Sequence, residues 1–202
     1  MVHSTIFLAS ANPDKISELK ELLSPLGVKL RSTRDVTNPA EVVEDLPTLQ
    51  GNALKKAQYW YEKSGYPSLA DDTGLEVDAL NGEPGVYSAR YAGSKATYRD
   101  NLEKLLNEMQ GEENRSAQFR TALVFVHKGG IELFEGVCHG EILKEPRGTK
   151  GFGYDPVFRP DGYKESFAEL SSEEKNRISH RGRALKKFLL YLERERKKIR
   201  GR

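Results

Sequence analysis

At 202 residues the chain suits one domain or two tightly joined lobes, long enough to bury roughly 70% of the surface its unfolded form exposes. Charged residues are 31% and apolar residues 37%, which excludes a disordered chain and favours a soluble globular one. No apolar run approaches a membrane span, no basic-then-apolar leader opens the sequence, and the lone Cys138 excludes an internal disulfide, so a cytoplasmic protein is expected.

Net charge is +2 but unevenly placed: the last ten residues, 193–202, carry six Lys/Arg and two Glu. This basic tail reads best as a solvated helix end, where cations complement the helix dipole. The rest of the chain offers no basic face by count, so no nucleic-acid partner is expected.

Thr5 to Ala9 reads as a buried strand. Asn12 then caps a helix with Pro13 at its first position and Ile16, Leu19, Leu22 and Leu23 as its apolar stripe. Val28 to Arg31 fits a second strand. Thr48 caps a helix that runs to Ser64 and ends at Gly65, with Leu49, Ala53, Ala57 and Trp60 on one face. Leu75 to Leu80 alternates like a half-buried strand. Thr97 with Asp100 opens another helix, faced by Leu102, Leu105, Leu106 and Met109. Gln118 to His127 and Ile131 to His139 read as a hairpin around Lys128-Gly129-Gly130. Cys138 in that apolar run reads as a buried, inert thiol. Val157-Phe158 fits a short strand, Ser171 with Glu174 a capping box, and a last helix runs from about Ser179 into the tail. The order is mixed α/β with an antiparallel hairpin, not a strict βαβ alternation.

Four stretches carry possible chemistry. Ala70-Asp71-Asp72-Thr73-Gly74 places two adjacent carboxylates at the mouth of a strand, where a turn can aim them at a divalent cation or a water. The same residues also make a good solvated turn. Ser10-Ala11-Asn12-Pro13-Asp14-Lys15 opens the first helix, a site that attracts anions, though it equally fits a capped surface helix. Lys55 and Lys56 follow an acidic loop with Glu41, Glu44 and Asp45, any of which could join Asp72 at a metal. In Gly151-Phe152-Gly153-Tyr154-Asp155-Pro156 the glycines allow close backbone approach, Phe152 and Tyr154 offer stacking faces, and Asp155 offers an acceptor; either aromatic could instead serve the core. Lys175, His180 and Arg181 add donors.

Five runs in register resemble the Ham1/RdgB (inosine triphosphate pyrophosphatase) family. They are Ser10-x-Asn12-x-x-Lys15, Ala70 to Leu75, Pro84 to Tyr91, Gly151 to Pro156, and Glu174-Lys175-Asn176 with Ser179-His180-Arg181. The match covers about Thr5 to Leu192. The resemblance implies an elongated α/β fold with a mixed sheet, two lobes and a central cleft, and a homodimer that uses magnesium. It implies hydrolysis of ITP, dITP and XTP to the monophosphate and pyrophosphate. By position, Ser10, Ala11, Asn12, Pro13, Asp14, Lys15, Lys56 and Lys175 would hold the triphosphate beside Thr73. Glu44 and Asp72 would bind the metal, and Asp72, Lys15 and Lys56 would carry catalysis. Phe152, Gly153, Tyr154, Asp155, His180 and Arg181 would enclose the base. Two other readings remain. A Maf-like nucleotide pyrophosphatase should show Pro-Arg-Arg where Asn12-Pro13-Asp14-Lys15 stands. A non-catalytic single-strand binder would use Phe152, Tyr154 and the tail but leaves Asp71 and Asp72 without a role.

Overall fold

A computed structural model describes residues 4–200, with the side chains of Asp14, Glu18, Leu22, Ile199 and Arg200 outside the description. The phosphate role expected of the Asp14 side chain, the place of Leu22 in its helix stripe and the last two tail residues therefore lie outside the described residues.

The strands are β1 (Thr5–Leu8), β2 (Lys29–Ser32), β3 (Ser68–Val77), β4 (Pro84–Gly85), β5 (Ser116–His127), β6 (Gly130–Ile142) and β7 (Phe158–Pro160). The helices are α1 (Pro13–Leu23), α2 (Leu49–Ser64), α3 (Tyr98–Glu108), α4 (Ser172–Ile178) and α5 (His180–Arg200). The sheet order is β2-β1-β3-β5-β6-β7, with β4 paired to β3. The chain divides into two compact units. The first holds the chain up to Asp72, Ala122–Phe134 and the chain from Ala184; the second holds Thr73–Thr121 and Glu135–Arg183.

In the first unit β2 and β3 both run parallel to β1, with Thr5 opposite Lys29 and Phe7 opposite Ser68. Helices α1 and α2 are the crossovers this parallel arrangement requires. Strand parity distributes the side chains. Ile6, Leu8 and Leu69 join Ile16, Leu19 and Leu23 of α1 and Leu185, Phe188 and Leu192 of α5 in one core. Phe7 points the other way and stacks on Trp60 of α2, centroids 4.9 Å apart. A strand covered on both faces reads as a continuous apolar run, which is why Ile6-Phe7-Leu8 shows no alternation. In the second unit Leu75, Val77, Leu105, Met109, Phe119, Ile142, Tyr154, Phe158 and Phe167 form a separate core. There β4 is antiparallel to β3 and β7 to β6.

The caps fall where local chemistry places them. Thr48 accepts from Gly51 N–H, Gly65 closes α2 in the left-handed region, and Thr97 and Asp100 form a reciprocal box. Ser171 accepts from Glu174 N–H, but the Glu174 carboxylate turns to Arg177 and Tyr163. Cys138 is buried, and burial pushes its thiol up to about 11, as expected of an inert group. Most of the basic tail is not a separate segment: α5 continues through it to Arg200.

The expectation of a half-buried strand from Leu75 to Leu80 is corrected. The strand begins at Ser68, passes through Asp71 and Asp72 and ends at Val77, with almost every residue buried. The two carboxylates are therefore held inside a strand, not on a turn at its mouth. Lysines on flanking helices meet them, which is how charge survives such burial.

Candidate active site

The first cluster lies in the first unit and follows from the parity of β3. Asp71 shares the face of Leu69 and meets α1: Lys15 Nζ donates to Asp71 Oδ2 at 2.8 Å. Asp72 points to the opposite face. There Lys56 of α2 stands 3.8 Å from Asp72 Oδ1, donates to the Asp71 carbonyl at 2.8 Å, and also pairs with Glu44. Lys56 is thus shared by Glu44, Asp72 and the strand backbone.

The turn after β1 is built by short-range hydrogen bonds. Asn12 N–H donates to Ser10 Oγ at 3.2 Å, and Lys15 N–H donates to Asn12 Oδ1 at 3.3 Å, which caps α1. Arg34 Nε braces the turn by donating to the Ala11 carbonyl at 2.8 Å. Sequence reasoning did not single out Arg34, which lies beyond β2 in the chain.

Electrostatics mark Asp72 as the unusual acid. Burial raises its carboxyl most, Lys56 lowers it, Glu44 and Asp71 raise it, and a hydrogen bond from Asn52 lowers it; the balance stands at about 6. For Lys56 burial is the largest influence and opposes the charge, but Asp72, Glu44 and Asp71 overcome it and raise the ammonium above its ordinary value. A perturbed acid beside a specific charge partner makes Asp72 a candidate reactive position.

This donor set fits a hard divalent cation. Glu44 and Asp72 already converge on one positive group, Lys56, and the repulsion from Glu44 and Asp71 that adds to burial in raising Asp72 is what a second cation would relieve. Among the described residues no cluster of three or more His, Cys, Asp or Glu side chains makes a ready metal cage. Waters and substrate oxygens would complete the shell, as magnesium usually requires. Asp45 instead pairs with Lys55 at 2.6 Å on the surface, and Glu41 is exposed.

The second cluster lies in the second unit. Asp155, almost fully buried, accepts from Phe152 N–H at 2.7 Å and from Lys175 Nζ at 2.6 Å. Its carboxylate occupies the space a side chain at position 151 would need: a Cβ on Gly151 would lie 2.1 Å from Asp155 Oδ2, on a backbone with φ +74°. Phe152 is left half-buried. Lys175 Nζ lies 5.0 Å and the Arg181 guanidinium 5.7 Å from its ring centre, with the Tyr98 ring 6.0 Å away. Tyr98 is exposed and was not anticipated from the sequence, because nothing local relates it to a loop beyond position 150.

Tyr154 corrects an expectation. Its ring belongs to the core and its hydroxyl donates to the Ser88 carbonyl at 2.9 Å, so it offers no stacking face. His180 is also buried, its ring stacked on Phe119 at 4.6 Å. Ser179 joins α4 to α5 by accepting from Gly182 N–H at 3.1 Å. Gly182 is required there, since a Cβ would meet the Asn176 carbonyl oxygen at 1.7 Å. That junction sets His180 and Arg181 side by side on the first turn of α5. Thr73 and Thr121 share a hydroxyl–hydroxyl bond of 2.7 Å.

A protein of Flavobacterium johnsoniae named dITP/XTP pyrophosphatase is 46% identical over 184 residues, which span 91% of this chain and 95% of that one. A Desulfotalea psychrophila protein of the same name is 49% identical over 181 residues, spanning 89% of this chain and 81% of its own. Among solved structures, a HAM1 protein from Coxiella burnetii matches with a TM-score of 0.88 at 39% identity, covering 94% of this chain and 98% of that one. The Staphylococcus aureus Ham1 protein matches with a TM-score of 0.87 at 36% identity, covering 95% and 99%. The model of the Ham1 family matches residues 6–191, a span that takes in both charge clusters, and the chain therefore belongs to the Ham1 family.

Proposed function

We propose that this protein hydrolyses non-canonical purine nucleoside triphosphates (dITP, XTP and ITP) to the monophosphate and pyrophosphate, and so clears deaminated purines from the nucleotide pool. The observation that carries the reading is the buried exchangeable charge around Asp72, in a chain whose relatives are named dITP/XTP pyrophosphatases.

In this reading Lys15 and Lys56 bind the triphosphate by turning from their carboxylate partners to phosphate oxygens. The N-terminus of α1, opened by the turn from Ser10 to Lys15, would add its positive dipole end to the same charge. Asp72 accepts a proton from a water that attacks the α-phosphorus. The bond from that phosphorus to the bridging oxygen breaks, and pyrophosphate leaves with the bonding electrons. Cationic side chains stabilise the charge growing on the leaving group, usually the largest contribution in phosphoryl chemistry. Glu44 and Asp72 would hold a divalent cation, which would add to that stabilisation; magnesium suits such oxygen donors.

Phe152 takes the purine face, and Arg181 with backbone N–H groups meets the carbonyl at position 6. Hypoxanthine and xanthine present an acceptor there, whereas adenine presents an amino group that leaves a buried donor unpaired. Asp155 and Lys175 hold the loop that carries Phe152. The reading also expects a homodimer in the cytoplasm, which light scattering at micromolar concentration and cell fractionation would test.

The deciding experiment is a panel of dITP, XTP, ITP, ATP and GTP, each with magnesium and with chelator. The expected result is pyrophosphate release, dependent on the metal, from the first three. Orthophosphate release, or equal rates on ATP, would overturn the reading.

A further inference from the structure

We infer that Asn52, outside the residues assigned above, is the positioning residue that registers the Glu44 loop against Asp72; this rests on the proposed pyrophosphatase reading. Asn52 lies in the first turn of α2 and is fully buried. Its side chain holds the loop from both sides: Leu46 N–H donates to Asn52 Oδ1 at 3.0 Å, and Asn52 Nδ2 donates to the Leu46 carbonyl at 3.2 Å. The same helix carries Lys56, whose Nζ stands 3.8 Å from Asp72 Oδ1, so a loop tied to Asn52 is tied to the helix that meets Asp72. A primary amide has both N–H donors and a carbonyl acceptor, so one group can make both contacts.

The loop needs such a tie. Residues 36–48 contain no helix or strand, and Val43 and Leu46 are 64% and 39% exposed, so apolar burial does little to place them. Glu44 itself pairs with Lys56. That pair must open if Lys56 is to take phosphate and Glu44 a cation. The Asn52–Leu46 pair bears no charge and survives the exchange. It therefore keeps Glu44, two residues from Leu46, in register with Asp72 during turnover. Groups that orient metal ligands in this way typically change affinity or activity by about 10–100-fold when removed.

The test uses Asn52→Asp, which keeps the shape but turns a carboxylate oxygen toward the Leu46 carbonyl, and Asn52→Ala. Leu46→Pro, at a more exposed loop position, removes the Leu46 N–H and leaves α2 intact, so it decides the matter if the Asn52 variants do not fold. The first readout is amide hydrogen exchange in metal-free protein, at Leu46 in the Asn52 variants and at residues 43–45 in Leu46→Pro, expected to quicken about 10-fold or more. The second is dITP hydrolysis across a magnesium titration. kcat is expected to fall about 10-fold and the half-saturating magnesium concentration to rise about 10-fold, with KM for dITP at saturating metal within about 3-fold of wild type. Folded variants with unchanged exchange, or with faster exchange but unchanged kcat and magnesium dependence, would overturn the inference. Wild-type protein inactive on dITP would instead sink the parent reading, which separates the two failures.

Discussion

The two clusters differ in the sign of their surplus charge. Around β3, Asp71, Asp72 and Glu44 outnumber Lys15 and Lys56, and each lysine is committed to a carboxylate. Around Phe152, Lys175 and Arg181 outnumber Asp155, whose carboxylate is spent on the loop backbone and on Lys175. The first cluster is short of positive charge and so favours a cation and rearrangement of its pairs. The second is a frame with two cationic side chains beside an aromatic ring. Substitutions in the first should change turnover, and substitutions in the second should change which base is accepted.

The largest effect should come from Asp72→Asn, which keeps the shape but removes the charge and the proton acceptor. Turnover should fall about 10²-fold or more. Stability separates this from a folding defect. Burial holds the Asp72 carboxyl at about 6, above its ordinary 3.8. The stability it contributes is complete below the unfolded value and is lost as pH rises through the folded one. In chelator at pH 8 the ionised group is therefore a liability of up to about 3 kcal/mol, and the asparagine variant should melt higher than wild type. That difference should shrink toward pH 5. A folded variant with near-normal turnover would remove Asp72 from the mechanism.

Next comes Lys56→Ala. It should lower kcat/KM on dITP by about 10²-fold, the scale of losing a preorganised electrostatic partner. It should weaken a triphosphate inhibitor far more than a monophosphate one; equal effects would mean that Lys56 serves the carboxylates and not the phosphates. In the second cluster, Arg181→Ala should reduce ITP hydrolysis more than ATP hydrolysis and narrow their ratio about 10-fold. An unchanged ratio would move base selection to the backbone of the Gly151 to Tyr154 loop.

The contrast also explains what could be read in the sequence. Helix starts were legible because Asn12, Thr48, Thr97 and Ser171 act on N–H groups three residues away. The charges at Lys15, Lys56, Asp71 and Asp72 were legible as residue types in a pattern. Their setting was not: Ala70-Asp71-Asp72-Thr73-Gly74 has the local chemistry of a turn, and only pairing with β1 and lysines from two helices makes it a buried strand. Phe152 and Tyr154 stand two apart in one loop, and nothing local says that one ring enters the core. Asn52 looks like any polar residue near a helix start, because its partner, the Leu46 backbone, is fixed by the fold.

The smallest effect should follow from ending the chain after Leu192. Leu192 is the last α5 residue in the first unit's core, and no residue of either cluster lies beyond it. Between Glu193 and Lys198 the helix offers surface ion pairs such as Lys198 with Glu195 at 2.6 Å, a class worth about 0–1 kcal/mol each. Shortening α5 also brings a new C-terminal carboxylate next to the last core turn, where the helix dipole disfavours negative charge. The melting temperature should therefore drop by a few degrees at most, about 2–4 °C per kcal/mol for a chain of this size. kcat and the ITP/ATP ratio should stay within about 2-fold of wild type, since neither charge cluster is touched. A large loss of turnover without loss of stability would show that the basic end of α5 takes part in binding the triphosphate, and the surplus of negative charge around β3 would then be offset by cations from outside the cluster.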